Sequence, residues 1–274
     1  MSMPSVLFCD PEHFDIIDSK NPFMKPGEHL DLELARKQWE EVKAAFATAG
    51  FAVEVLPAVE GLEDMVFANN QLFVAGDERG KFIVPSHMRY PSRQREVAHY
   101  AEWFRTRGYK VVELEYGEDY LEGHGDLLWH EDGTKVWAGY GFRSSFGAVK
   151  KFAAAVERFG IKVIPLELRD PRFYHLDTCF APLTAKAVLV HPPAFTPQSY
   201  ERIQKNCERI YIVGEQDALR FVCNGVAAGG RFITPYLSPQ VASALSRERL
   251  EPVVVDTSEF QKSGGSVCCL KLFM

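Results

Sequence analysis

Excess basic charge, membrane-length apolar runs and paired-cysteine motifs are all missing from this sequence of 274 residues. Its 31 Lys and Arg against 37 Asp and Glu leave a net charge of −6 and a pI near 5.8. That balance gives no footprint for nucleic acid or an anionic membrane, although it does not exclude a charged small molecule. No apolar run approaches the ~20 residues of a membrane span. The N-terminal MSMPSVLFCDPEHF lacks the charged-then-apolar pattern of a secretory leader. The six cysteines, Cys9, Cys179, Cys207, Cys223, Cys268 and Cys269, show no C-x-x-C or Cys/His metal spacing, and neighbouring cysteines bridge only with strain. All six read as reduced thiols, and the expected location is cytoplasmic. No linker rich in Pro, Gly or Ser and no low-complexity block divides the chain, so residues 1–274 read as a single domain.

What is present is a core-forming 46% of hydrophobic residues and a repeat. A helical pattern in LDLELARKQWEEVKAAFATAG, with apolar Leu30, Leu32, Leu34, Trp39, Val42 and Phe46 and a stop at Gly50, is followed by the strand-like FAVEVLP. The same order returns in SRQREVAHYAEWFRTRG with YKVVELEY and in SFGAVKKFAAAVERFG with IKVIPLEL. TPQSYERIQKNC with ERIYIVG and SPQVASALSRERL with EPVVVD are weaker copies. Val53, Val111, Val163, Ile210 and Val253 mark equivalent strands, at a spacing of repeats or blades. Hairpin-like segments follow: NNQLFVAGDERGKFIVPS, GDLLWHEDGTKVWAGYG, TCFAPLTAKAVLVHPP and CNGVAAGGRFITP, with turns at D-E-R-G, E-D-G and A-G-G. The last hairpin must be split, SGGSVCCLKLFM pairing with PSVLFCD from the other end of the chain. The expected fold is α/β, five units around an axis. A single doubly wound sheet fits the alternation but not the paired strands.

Polar residues gather where each loop enters its hairpin. Asn69 and Asn70, Glu122 and Asp126, Arg143, His175 and Asp177, and Cys268 with Cys269 all hold such places. Taken alone, E-G-H-G-D reads as a solvated turn, H-L-D-T as a strand edge and the twin cysteines as core. Their agreement at equivalent positions of a closed ring instead assembles a thiol nucleophile, an imidazole and carboxylates able to hold a cation. His13, His29, His87, His99, His130 and His191 show no such agreement; His124, inside the glycine loop, is the one to watch. Trp39, Trp103 and Phe152 read as helix-to-sheet packing.

Together SKNPFM, DMVFANNQLFVAGD, MRYPSRQRE, EGHGD, GFRSS, HLDT and GGSVCCLKL make the chain resemble, nearly end to end, the guanidino-group-modifying enzymes of the pentein superfamily. These are the dimethylarginine dimethylaminohydrolases, arginine deiminases, arginine dihydrolases and amidinotransferases. The resemblance implies a five-bladed αβ-propeller with pseudo-fivefold repeats, one catalytic domain over 1–274, and a small guanidino substrate, arginine or a derivative. It leaves association into homo-oligomers open.

Carried over by motif, Cys269 is the expected nucleophile, His175 the general acid/base and Glu122 its carboxylate companion. Asp177 and Asp126 are expected to contact substrate, Asp177 through the guanidinium nitrogens; Arg143 and Arg89 would bind a carboxylate and Asn21 the amino-acid end. Cys268 is expected to point to the opposite face of the final strand. Asn70 stands where arginine deiminases carry aspartate, and DMVFANNQLFV looks more like the arginine dihydrolase branch, although Asn69 and Gln71 replace small residues there. An amide supplies donor and acceptor, so a neutral urea could be held as well as a guanidinium. The implied chemistry is attack at the guanidinium carbon through a thiouronium, with no metal and no organic cofactor. Two alternatives stay open: transfer of the amidino group to an amine, and a silent, ligand-binding member of the fold.

Overall fold

The computed structural model describes residues 3–77, 80–130 and 133–274. Five three-stranded sheets carry the chain. β1 (Ser5–Cys9) is followed by the helix Leu32–Thr48 and returns in parallel as β2 (Ala52–Leu56). The second unit is β3 (Leu72–Asp77), β4 (Gly80–Pro85), the helix Pro91–Arg105 and β5 (Lys110–Val111). The third is β6 (Leu127–Trp129), β7 (Lys135–Tyr140), the helix Phe146–Glu157 and β8 (Lys162–Glu167). The fourth is β9 (Phe180–Thr184), β10 (Ala187–Val190), the helix Pro197–Asn206 and β11 (Arg209–Ile212). The fifth is β12 (Val226–Ala228), β13 (Arg231–Thr234), the helix Pro239–Arg247 and β14 (Glu251–Val254). β15 (Lys271–Phe273) completes the first unit, antiparallel to β1, with Val6 opposite Phe273 and Phe8 opposite Lys271. Each unit is thus a hairpin, a helix and a parallel return strand, since parallel neighbours need a crossover.

The repeat markers fall in register. Val53, Val111, Val163, Ile210 and Val253 lie opposite Val6, Ile83, Val136, Val188 and Ile233, five side chains with no solvent exposure. β-Branched residues suit this half-buried pleat. The helices begin at side-chain caps where the sequence offers them: Asp31 accepts from the Leu34 N–H at 2.9 Å, and Ser145, Thr196 and Ser238 do likewise. The first helix buries Trp39, Val42 and Phe46, whereas Leu32, in phase with them on its first turn, stays 52% exposed. Trp39, Trp103 and Phe152 pack inward as expected. The split hairpin at the chain ends forms. The tips D-E-R-G and E-D-G include Glu78, Arg79, Glu131 and Asp132, which lie outside the described residues.

Ahead of each first hairpin strand the backbone makes a tight turn: around 68–70, at Gly123–Asp126, Leu176–Thr178, Val222–Asn224 and Val267–Leu270. These five turns are hydrogen-bonded into a closed ring. Asn69 N–H donates to the Cys269 carbonyl (3.3 Å) and His124 N–H to the Asn69 carbonyl (2.6 Å). Leu176 N–H donates to Asp126 Oδ1 (3.0 Å), Asn224 Nδ2 to the Asp177 carbonyl (3.2 Å), and Cys268 N–H to Asn224 Oδ1 (3.1 Å). Both side chains that serve as links, Asp126 and Asn224, are fully buried.

The ring corrects one expectation. Cys268 and Cys269 lie not on the final strand but on the helical turn before it, because Leu270 N–H bonds back to the Ser266 carbonyl at 3.1 Å. Successive residues on such a turn point about 100° apart, so the two thiols still diverge.

Candidate active site

On one side of the ring a narrow cleft is lined by Cys269, His175, Asn70, Asn21 and Arg143, with Lys20, Asp64, Arg93 and Tyr174 joining them. Cys268 does not reach it; it lines a separate cavity on the other side.

The thiol corner is built by three turns. Cys269 Sγ lies 3.3 Å from Asp177 Oδ2 and 3.3 Å from Asn224 Nδ2. Asn69 Nδ2 donates to the same Asp177 oxygen at 2.9 Å, while Asp177 Oδ1 is buried with no hydrogen-bond partner among the described residues. Burial, followed by Asp177 and Cys268, pushes the Cys269 thiol well above its ordinary value. Burial also raises the Asp177 carboxyl, although His175, Asn69 and Cys269 oppose this. Without a cation the corner therefore favours a thiol donating to a carboxylate.

The imidazole lines the same cleft. His175 Nε2 meets Glu122 Oε2 at 2.8 Å, and Arg143 donates to that oxygen at 2.6 Å. The other Glu122 oxygen accepts the Arg89 backbone N–H at 3.0 Å. Burial would raise the Glu122 carboxyl, but Arg143 and then His175 hold it well below the usual carboxylate range. An ionised Glu122 fixes the ring through Nε2. Gly125 makes the close packing possible, since a Cβ there would overlap Asn70 Nδ2 and come within 3.1 Å of His175 Nδ1.

Asn70 has a defined orientation. Arg93 donates to its Oδ1 at 3.1 Å, and its Nδ2 is buried without a partner among the described residues. Arg93 is held in turn by Glu96, whose second donor is Gln71 Nε2 at 2.6 Å. The cleft's far end is polar. The Lys20 ammonium pairs with Asp64 (2.9 Å), Glu63 (3.0 Å) and Asp18, and Arg143 lies between the rings of Tyr90 and Tyr174. Asn21 donates to the Ser263 carbonyl at 3.0 Å and accepts from the Phe23 N–H at 2.9 Å. Gly264 (φ 81°) lets the backbone pass, since a Cβ would sit 2.7 Å from Asn21 Oδ1.

Two expected site residues stand elsewhere. Asp126 lies behind the cleft, its oxygens taken by Ser144 Oγ (2.7 Å) and the Leu176 N–H, and burial raises its carboxyl to about 6. The Arg89 side chain is exposed and bonds to the Phe142 carbonyl. His124 turns away from the cleft, accepting from the Val74 N–H at 3.0 Å and stacking on Phe73. Residues not singled out in the sequence are Asn224, Lys20, Asp64, Arg93 and Tyr174. Asn224 had a signal: it occupies the fifth unit's copy of the position that carries polar residues in the others.

The chain is 36% identical over 262 residues to the N(G),N(G)-dimethylarginine dimethylaminohydrolase of Mycobacterium tuberculosis, covering 96% of this chain and 83% of that protein. It is 34% identical over 270 residues to the bifunctional arginine dihydrolase/ornithine cyclodeaminase ArgZ of Synechocystis sp., covering 97% of this chain but 37% of that one. The cyanobacterial ArgZ N-terminal domain, solved with its substrate, superposes with a TM-score of 0.91 at 33% identity, over 98% of this chain and 97% of that one. The propeller of five units is thus the pentein fold. The family profile described as "N,N dimethylarginine dimethylhydrolase, eukaryotic" matches residues 10–272, and to that family the chain belongs.

Proposed function

We propose that the protein hydrolyses a C–N bond of the guanidinium group of arginine or an N-methylated arginine, by covalent catalysis from Cys269. The observation that carries this reading is the placement of Cys269 Sγ against Asp177, in a cleft that His175, held by Glu122, also lines and whose far end is polar. The relatives' named activities, dimethylarginine hydrolysis and arginine dihydrolysis, fall in the same class.

A guanidinium entering beside Asp177 pairs with the carboxylate that otherwise accepts from the thiol. Its positive charge favours the thiolate, and the displaced proton passes to His175. The sulfur attacks the guanidinium carbon, forming a C–S bond. As the C–N bond breaks, His175 returns the proton to the departing ammonia or methylamine. The remaining thiouronium is attacked by water, with His175 as base, and the C–S bond breaks to release a urea and restore Cys269. Glu122 keeps the imidazole oriented and balances its charge. Arg143, Asn21, Lys20 and Asp64, which line the cleft, would receive the carboxylate and amine of an amino acid.

Asn70 favours arginine as substrate and a second round on the urea product. With its Oδ1 held by Arg93, its NH₂ is the group offered to the cleft. That donor suits a urea oxygen, where aspartate would set acceptor against acceptor. Arginine would then give ornithine, two ammonia and one carbon dioxide. Mass spectrometry of products from arginine, citrulline, monomethylarginine and dimethylarginine tests the proposal. Ornithine from both arginine and citrulline is expected. Citrulline that accumulates and is not consumed would end the two-round reading, and dimethylamine as the preferred product would make dimethylarginine the substrate. Transfer to added glycine or lysine would replace hydrolysis with amidino transfer.

A further inference from the structure

A second cavity, of about 530 Å³, occupies the propeller axis on the side away from the cleft. Every sheet contributes its first hairpin strand or the turn ahead of it: Val74, Trp129, Phe180, Val226 and Lys271 mark the five contributions. Its volume falls within the range of small-molecule sites, roughly 300–1,000 Å³. The wall is largely aromatic and aliphatic, with Trp129, Tyr109, Phe180 and Phe273 among its members.

One group on that wall is a cation without a charge partner among the described residues. Lys271 is only 6% exposed as a residue, and its ammonium faces the cavity, over the Phe273 ring at 4.3 Å, with no carboxylate or hydrogen-bond acceptor paired to it among the described residues. Lys20, elsewhere in the same protein, has three carboxylates around it. Lys81 at the wall adds a second cation, and neither Cys268 nor His124 supplies a negative charge near neutrality. Burial pushes the Cys268 thiol up to about 12 and lowers His124 to about 3, keeping both neutral.

We propose that this axial cavity binds a small organic anion, a carboxylate on an aromatic or aliphatic body, with Lys271 as its charge partner and the rings around it as the apolar seat. Because Lys271 begins the strand that leaves the Cys268–Cys269 turn, the occupant would sit directly behind the thiol pair.

The test is binding and needs no turnover. Benzoate and its neutral isostere benzamide are titrated calorimetrically into the native protein, Lys271→Met and Ala227→Trp, the last of which fills the cavity from its wall while keeping the lysine. Native protein is expected to bind benzoate at least tenfold more tightly than benzamide. Lys271→Met should lose that preference, and Ala227→Trp should lose both ligands. Equal binding of the two ligands by native protein, no saturable binding at all, or benzoate binding unchanged in Lys271→Met would overturn the proposal; the last would place the anion in the catalytic cleft.

Discussion

The Asn224 amide holds Cys269 at two points: Nδ2 lies 3.3 Å from Sγ, and Oδ1 accepts the Cys269 N–H at 3.4 Å. The same Oδ1 takes the Cys268 N–H, so one buried side chain both closes the ring of turns and aims the sulfur. Asn224→Ala should lower kcat roughly tenfold to a hundredfold, about 1.4–3 kcal/mol of barrier. An N–H donor to sulfur stabilises thiolate, so the rise of Cys269 alkylation with pH should also move to higher pH. A loss of stability with an unmoved alkylation profile would reduce Asn224 to a structural link.

Cys269→Ser should abolish turnover, and Cys268→Ser should retain most of it, because the two thiols line different cavities. Neutral iodoacetamide should react slowly at pH 7 and faster through pH 9 and beyond, since the Cys269 thiol is held well above 9.0. A cationic haloacetamidine should label Cys269 selectively and faster, as its charge offsets Asp177. Peptide mapping that finds the label on Cys268 reverses the assignment.

Asp177→Asn removes the carboxylate that faces both the sulfur and the incoming cation. Leaving such a charge without its partner costs roughly 2–5 kcal/mol, so kcat/KM should fall by more than tenfold. Turnover close to native would show that the guanidinium is held elsewhere.

Asn70→Asp should stop the reaction at citrulline. The carboxylate can still accept from Arg93 but offers a urea oxygen no donor; an unpaired buried polar group costs about 1–3 kcal/mol. Time courses of ammonia, citrulline and ornithine check this. Unchanged ornithine production by the variant would remove Asn70 from the choice of product.

Asp126 supplies a pH signature of folding. Burial, opposed by His175 and Ser144, raises its carboxyl to about 6. The stabilisation of its protonated form is fully present below the unfolded value of ~3.9 and is lost as pH rises through the folded one, about 3 kcal/mol in all. Asp126→Asn mimics the protonated acid and keeps an acceptor for Leu176. Its Tm relative to native should therefore climb between pH ~4 and 6 and level off above. A constant difference across that window would mean that Asp126 does not titrate there.

The periodicities of the chain were enough to read its architecture. Five helix-then-strand copies, five β-branched markers and a hairpin split between the chain ends are local hydrophobic patterns, and each becomes a strand or helix because burial of one face decides it. The motif residues were legible too, since a cysteine, H-L-D and E-G-H-G-D announce their chemistry by residue type. Only the tertiary structure decided which of them meet. It set Cys268 and Cys269 on a helical turn facing two cavities, turned Asp126 inward to hold Leu176, and sent the Arg89 side chain to the surface. It also recruited Asn224, whose repeat position alone does not name a partner, to the sulfur. The physical reason is that hydrogen bonds between turns far apart in the chain, Asn224 to Cys269 and Asn69 to Asp177, leave no periodic trace in sequence. They exist only once the five units close around their axis.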